Sequence, residues 1–179
     1  MKLNPLWILL VFSPAMSAQV IPCNAGALSV PVFNPTSISG EVGDYTLDCT
    51  GGTVSPPIQI DFYIQMNVPV LNTGGWILSE GGNMTAGTLY SSEVIEFVGV
   101  PFIPPGAGDA VFQVENIFVN PSAEPPGFQF TGTGSIFGNV SIDIPNQQQV
   151  VAENAVPEPF SLVFVGLGMG AMWLGRKRR

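Results

Sequence analysis

Five carboxylates, Asp44, Asp48, Asp61, Glu93 and Glu96, are the residues of this 179-residue chain whose types come nearest to chemistry. A pair of carboxylates is what glycoside hydrolysis requires, one acting as acid and the other as base or nucleophile. Their neighbours argue for a plainer role. Asp61 falls on the polar phase of an alternating stretch, and Glu93 and Glu96 flank apolar Val94 and Ile95 as edge charges would. The order Asp48-Cys49-Thr50-Gly51-Gly52 departs from the Asp-Thr-Gly of aspartic proteases, which also need two such loops. A cysteine nucleophile needs a neighbouring base, and the chain has no His. Oxygen-rich turns at 40–44 and 104–109 offer carboxylates and carbonyls to Ca²⁺, yet no EF-hand or repeat-type calcium motif is present. Tyr63, Trp76 and Tyr90, if exposed, could stack on sugar rings, although aromatics at strand spacing are more often core. No catalytic residue, metal ligand set or cofactor site is assigned.

Charge narrows the classes further. All thirteen Asp and Glu lie from Glu41 to Glu158, whereas the five basic residues are Lys2, Arg176, Lys177, Arg178 and Arg179. The net charge of −8 averages this split, and the whole body between the ends lacks a cation. Such a body has no phosphate clamp, so nucleic acid is excluded as a partner. Imidazole triads and imidazole metal sites are impossible within the chain. With 46% apolar residues, 21 Gly and 17 Pro, the composition is that of a turn-rich globular domain.

The two ends read as addresses. Lys2, an apolar run from Leu6 to Phe12, and small residues up to Ala18 come in the order of a secretory signal peptide, assigned to 1–18. Cys23 is preceded by Pro22, which fits a lipoprotein cleavage site poorly because proline's φ is fixed and its N–H is missing. At the other end, residues 160–175 carry no charge. As a helix they would span about 24 Å, slightly short of a bilayer core of about 30 Å. The cations behind them would remain cytoplasmic and leave the body outside. Gly166 and Gly170 offer a small-xxx-small pair for a partner helix. A dinucleotide-binding turn at Gly166, Gly168 and Ala171 is ruled out, because only eight residues follow it and no acidic ribose ligand is among them.

Pro157-Glu158-Pro159, the short apolar span and the basic tail Arg176-Lys177-Arg178-Arg179 together resemble the PEP-CTERM sorting signal of exported bacterial proteins. That resemblance covers about the last 24 residues, the segment 155–179. It implies export, retention in the inner membrane through a transmembrane helix at 160–175, and processing by exosortase, a membrane transpeptidase-like enzyme. Pro157, Glu158 and Pro159 would be the recognised motif. The implied destination is the cell surface or an exopolysaccharide matrix, with the export machinery and possible exopolysaccharide as partners.

The elements between the addresses, residues 19–154, are strand-like. Ile58, Ile60, Phe62, Ile64 and Met66 alternate with Gln59, Asp61, Tyr63 and Gln65. Weaker alternation marks 45–50, 93–98, 110–119, 128–133 and 139–144, with Val150 and Val151 closing the series. Turn clusters rich in Gly, Pro, Asn and Asp separate them. Seven or eight such strands predict an all-β fold, an antiparallel β-sandwich of immunoglobulin-like topology, with a barrel or jelly roll as relatives. Cys23 and Cys49 are expected to pair, since two cysteines in a secreted chain usually do. The body also resembles a recurring β-rich module of exported soil-bacterial proteins, through "VGDYTLDCTGG", "FVGVPFIPPGAG" and "FQVENIFVNPS". That resemblance favours the same pairing and implies no activity. The function expected is a non-enzymatic structural or adhesive protein of the cell surface, and the alternative is a small carbohydrate- or calcium-dependent binding module.

Overall fold

A computed structural model describes residues 20–51, 58–103, 109–138, 141–145 and 147–156. The signal segment 1–18, the motif Pro157-Glu158-Pro159, the span 160–175 and the tail 176–179 lie outside the described residues. Among the described residues, no helix is long and apolar enough to cross a membrane.

The chain alternates strands and tight turns. In order they are β1 (Val20–Ala27), β2 (Val32–Phe33), β3 (Gly40–Glu41), β4 (Tyr45–Thr50), β5 (Ile58–Met66), β6 (Ile77–Glu80) and β7 (Asn83–Ala86). After these come β8 (Thr88–Ser91), β9 (Val94–Phe102), β10 (Asp109–Glu115), β11 (Phe118–Val119), β12 (Gln129–Gly138), β13 (Ser141–Asp143) and β14 (Gln148–Asn154). A 3₁₀ turn, Pro121–Ala123, precedes β12. The strands form two six-stranded sheets, β13-β1-β4-β10-β6-β7 and β2-β14-β12-β5-β9-β8, with β11 and β3 pairing apart from them. Neighbours are antiparallel except β1 with β13 and β14 with β2.

Alternation in the sequence becomes two faces in space. On β5 the set Ile60, Phe62, Ile64 and Met66 is buried, while Gln59 and Gln65 are exposed. Phe62 from one sheet stacks on Phe112 from the other, with ring centroids 6.1 Å apart, and Phe97 and Phe102 close round them. One continuous core results. Each such ring removes a large apolar area from water, the main favourable term in a body without ion pairs. Cys23 lies directly opposite Cys49 across the β1–β4 ladder, both fully buried, and they are disulfide-bonded.

More strands are present than the alternation predicts, because several are two to four residues long and too short to show a period. β6 and β7 are joined by Gly81 and Gly82, whose φ values of 54° and 87° give the left-handed pair that a two-residue hairpin needs. Trp76 is a core aromatic and not a sugar-stacking one. It shares an inward phase with Leu78 and is completely buried.

Asn154 closes the fold at the end of β14. Its buried amide Nδ2 donates to the carbonyls of Pro121, Glu124 and Pro125 at 2.9, 3.1 and 3.2 Å, holding the 3₁₀ turn against the strand. Asn154→Ala removes all three bonds and leaves the Glu124 carbonyl without this donor, while the Pro121 and Pro125 carbonyls keep the N–H groups of Glu124 and Phe128, and it is expected to destabilise the body by about 1–3 kcal/mol. Urea melts of the variant check this, and hydrogen exchange should rise first at Ser122 to Glu124, the amides tied into the turn.

Candidate binding face

The outer face of the second sheet gathers the candidate residues. Strand pairing sets Tyr63 of β5 between Glu96 of β9 and Ser135 of β12, and Glu96 beside Thr88 of β8. Tyr63 is flanked by two rings, Tyr90 at 6.0 Å and Phe137 at 5.4 Å between centroids, each nearly perpendicular to it. Tyr90 is 69% exposed and Phe137 61% exposed. Edge-to-face contacts of this kind contribute about 0.5–1.5 kcal/mol beyond simple burial, so the rings hold one another in place.

Two local devices build this cluster. Tyr90 falls at an irregularity of the β8–β9 ladder, between Leu89 and Ser91, which turns its ring towards β5. On β9, Gly99 takes φ 67° where the β5–β9 register shifts, and its N–H donates to Asp61 Oδ1 at 2.9 Å. Asp61 is thereby spent on the bulge. Glu96 is spent as well, since the Tyr63 hydroxyl donates to its Oε1.

That hydrogen bond, with smaller contributions from burial and from the negative charge of Glu96 and Asp61, pushes the Tyr63 phenol up to about 12. Ionising the phenol would place a second negative charge against the first. Glu96→Gln removes the charge but keeps an acceptor, so the Tyr63 phenol should move down towards 10. Absorbance at 295 nm during alkaline titration reads the shift, and an unchanged curve would separate Tyr63 from Glu96.

Along the same face the character changes from aromatic to polar. Gln65 follows Tyr63 by two positions on β5, and Thr133 and Thr131 precede Ser135 and Phe137 on β12. With Met66, Asn67 and Gln148 they line a hollow of about 230 Å³. Its polar groups are partly wired together: Gln148 Nε2 donates to Thr131 Oγ1 at 3.0 Å, and Thr131 N–H donates to Asn67 Oδ1 at 2.9 Å. A second hollow of about 170 Å³, lined mainly by Val68, Pro69, Leu71 and Ala123, lies apart at the loop beside the 3₁₀ turn.

The five carboxylates do not converge on one centre. Asp44 Oδ2 accepts from Gln113 Nε2 at 2.8 Å beside the first sheet, Asp48 Oδ1 is buried there, Asp61 and Glu96 serve the second sheet, and Glu93 lies in the turn between β8 and β9. Glu96 is not an edge charge as its spacing suggests, because β8 covers the far side of β9. Burial raises the Glu80 carboxyl above its usual range. Among the described residues, no three His, Cys, Asp or Glu side chains come together in a way that could hold a metal ion. Of the three aromatics singled out in the sequence, Tyr63 and Tyr90 meet, and Trp76 belongs to the core. Phe137 was not singled out. Its signal is its place two residues beyond Ser135 on the outward phase of β12, past two glycines that interrupt the pattern.

No protein-family profile matches the chain. No curated protein matches it either. Among solved structures, the sixth cohesin of scaffoldin B from Acetivibrio cellulolyticus, crystallised in complex with a mutant Cel5 dockerin, is similar over 74% of this chain and 99% of that one, at 11% identity and a TM-score of 0.36.

Proposed function

We propose that this chain is an exported, non-enzymatic structural or adhesive protein of the bacterial cell surface and its exopolysaccharide matrix. It is carried on an immunoglobulin-like β-sandwich and works through the outer face of the second sheet. The observation that carries the reading is the bond between Cys23 and Cys49, fully buried between paired strands, since such bonds persist in oxidising compartments and are rare in the cytosol. The signal-like residues 1–18 and the segment 155–179, with Pro157, Glu158 and Pro159 for an exosortase and Arg176 to Arg179 as a stop-transfer tail, supply the route in this reading. A non-enzymatic role is supported by the dispersal of the carboxylates and by the absence of His from the chain.

Fractionation of producing cells tests the route. The body is expected in the envelope or the extracellular material with no alkylatable thiol, and deletion of Arg176 to Arg179 should reduce membrane retention or processing without altering the fold. Recovery of the body in the cytosol with two free thiols would overturn the proposal. The exposed rings Tyr90 and Phe137 favour a second reading, a carbohydrate-binding module, over a calcium-dependent one.

A further inference from the structure

We propose that the outer face of the second sheet is a binding site for an uncharged polysaccharide chain, with Tyr90 and Phe137 as the stacking platforms and the Gln65–Thr133–Gln148 hollow as its hydrogen-bonding extension. This rests on the reading of the body as a binding module and is independent of the route of export. Three observations select the ligand. The rings present apolar surface at two neighbouring points, fixed on either side of Tyr63, whose own hydroxyl is anchored on Glu96. A pyranose offers a matching set of C–H groups on one face and hydroxyls round its rim.

The polar part of the site is neutral. Gln65, Thr131, Thr133 and Gln148 supply amides and hydroxyls, which both donate and accept, as the hydroxyls of a sugar do, while Asn67 is held by the Gln129 carbonyl and the Thr131 N–H and shapes the floor. The carboxylates closest to the rings are already engaged, Glu96 by Tyr63 and Asp61 by the Gly99 N–H, so the hydrogen bonds to a ligand fall to the neutral amides and hydroxyls. No Lys, Arg or His occurs between Lys2 and Arg176, so a uronate, sulfate or phosphate on the ligand would meet no cation and would be repelled by the acidic body. The charge pattern therefore excludes acidic polysaccharides as the occupant and keeps neutral ones.

The test is affinity electrophoresis of the full chain in a mild neutral detergent, through native gels containing mixed-linkage β-glucan, xyloglucan, galactomannan, dextran or, as the anionic arm, alginate. At least one neutral polysaccharide should retard the protein, and alginate should not. Tyr90→Ala and Phe137→Ala should each weaken retardation about fivefold, the scale of one aromatic contact of about 1 kcal/mol. Both side chains are mostly exposed, so each variant should lose only its ring contact with Tyr63, and a cooperative melt lowered by no more than that contact establishes that the variants are folded. Absence of retardation by every neutral polysaccharide overturns the site, as does equal retardation by alginate or an unaltered Tyr90→Ala/Phe137→Ala double variant. Sedimentation velocity adds a further arm. A wild-type dimer converted to monomer by the double variant would assign the face to a second copy of the chain instead. Cell fractionation does not enter these measurements, so failure of the glycan site leaves the export reading standing, and the reverse.

Discussion

Replacing Cys23 and Cys49 together by alanine is expected to lower the stability of the body by about 3–4 kcal/mol, a large part of what a domain of this size possesses. The bonded residues are 26 apart in sequence, and closing such a loop removes chain entropy mainly from the unfolded state. In the folded state the same residues are already opposed, because β1 and β4 pair from Cys23↔Cys49 to Ala27↔Tyr45 whether or not the sulfurs are joined. The native structure should therefore survive the substitution with little change. Urea unfolding should show a lower midpoint together with a steeper slope, since an uncrosslinked unfolded chain exposes more surface. Refolding should slow much more than unfolding accelerates. Equal midpoints for the bonded body and the double variant would mean that the ladder alone supplies the constraint. Cys49→Ser by itself should be worse than the double substitution, because it leaves a thiol and a hydroxyl facing each other where both residues are fully buried.

The fold was legible where the period of two is long enough to be seen. The reading of 58–66 as a strand coincides with β5, and that of 45–50 with β4. Both strands are flanked by Gly- or Pro-rich sequence and lie inside their sheets, where one face meets a core and the other does not. Legibility failed at short strands and at glycines. β6, β7 and β8 hold four residues each, so their pairing follows from the Gly81-Gly82 turn and from contact with β10 and β9, which are distant in sequence. The alternation at 128–133 predicts a strand ending before Gly134, yet β12 runs on to Gly138 and delivers Phe137 to the binding face. The candidate site was half visible for the same reason. Tyr63 lies on a long strand whose outward phase is unambiguous, whereas the position of Tyr90 depends on a ladder irregularity that only the β8–β9 pairing creates. For Trp76 the plainer of the two sequence readings, core, is the one that holds, since it shares the inward phase of Leu78.

Those glycines on β12 lead to the second large effect. Gly134→Ala is expected to destabilise the body by about 2–4 kcal/mol, although alanine is ordinarily better than glycine in a strand. Thr131-Gly132-Thr133-Gly134-Ser135 places both glycines on the inward, buried phase, and the ring of Tyr45 from the opposite sheet fills the space that their side chains would occupy. A Cβ on Gly134 would stand 2.6 Å from the Tyr45 hydroxyl oxygen and 2.9 Å from two ring carbons. The ring cannot retreat cheaply. Its hydroxyl donates to the Gln147 carbonyl at 2.8 Å and accepts from the Gly134 N–H at 3.0 Å, so displacement breaks one buried and one partly buried hydrogen bond as well as the packing. Gly132→Ala is milder, because the nearest atoms there are the tip of Ile64 at 3.2 Å and a ring carbon of Tyr45 at 3.3 Å. Tyr45→Phe removes the atom in the tightest contact, and in that background Gly134→Ala should cost at least about 1 kcal/mol less than it does alone. Additive effects in this double-mutant cycle would show that the hydroxyl is not what excludes the methyl group. The same hydroxyl sets an alkaline limit. Burial, opposed in part by the hydrogen bond from Gly134, pushes the Tyr45 phenol up to about 12 from an unfolded value near 10. A raised folded pKa means that the folded state holds the proton more tightly, so this contribution is complete below pH 10 and is lost as pH rises from 10 to 12. Between those values the wild-type body should lose stability relative to Tyr45→Phe, which has no proton to lose at that position. Parallel alkaline melts of the two proteins would contradict the argument.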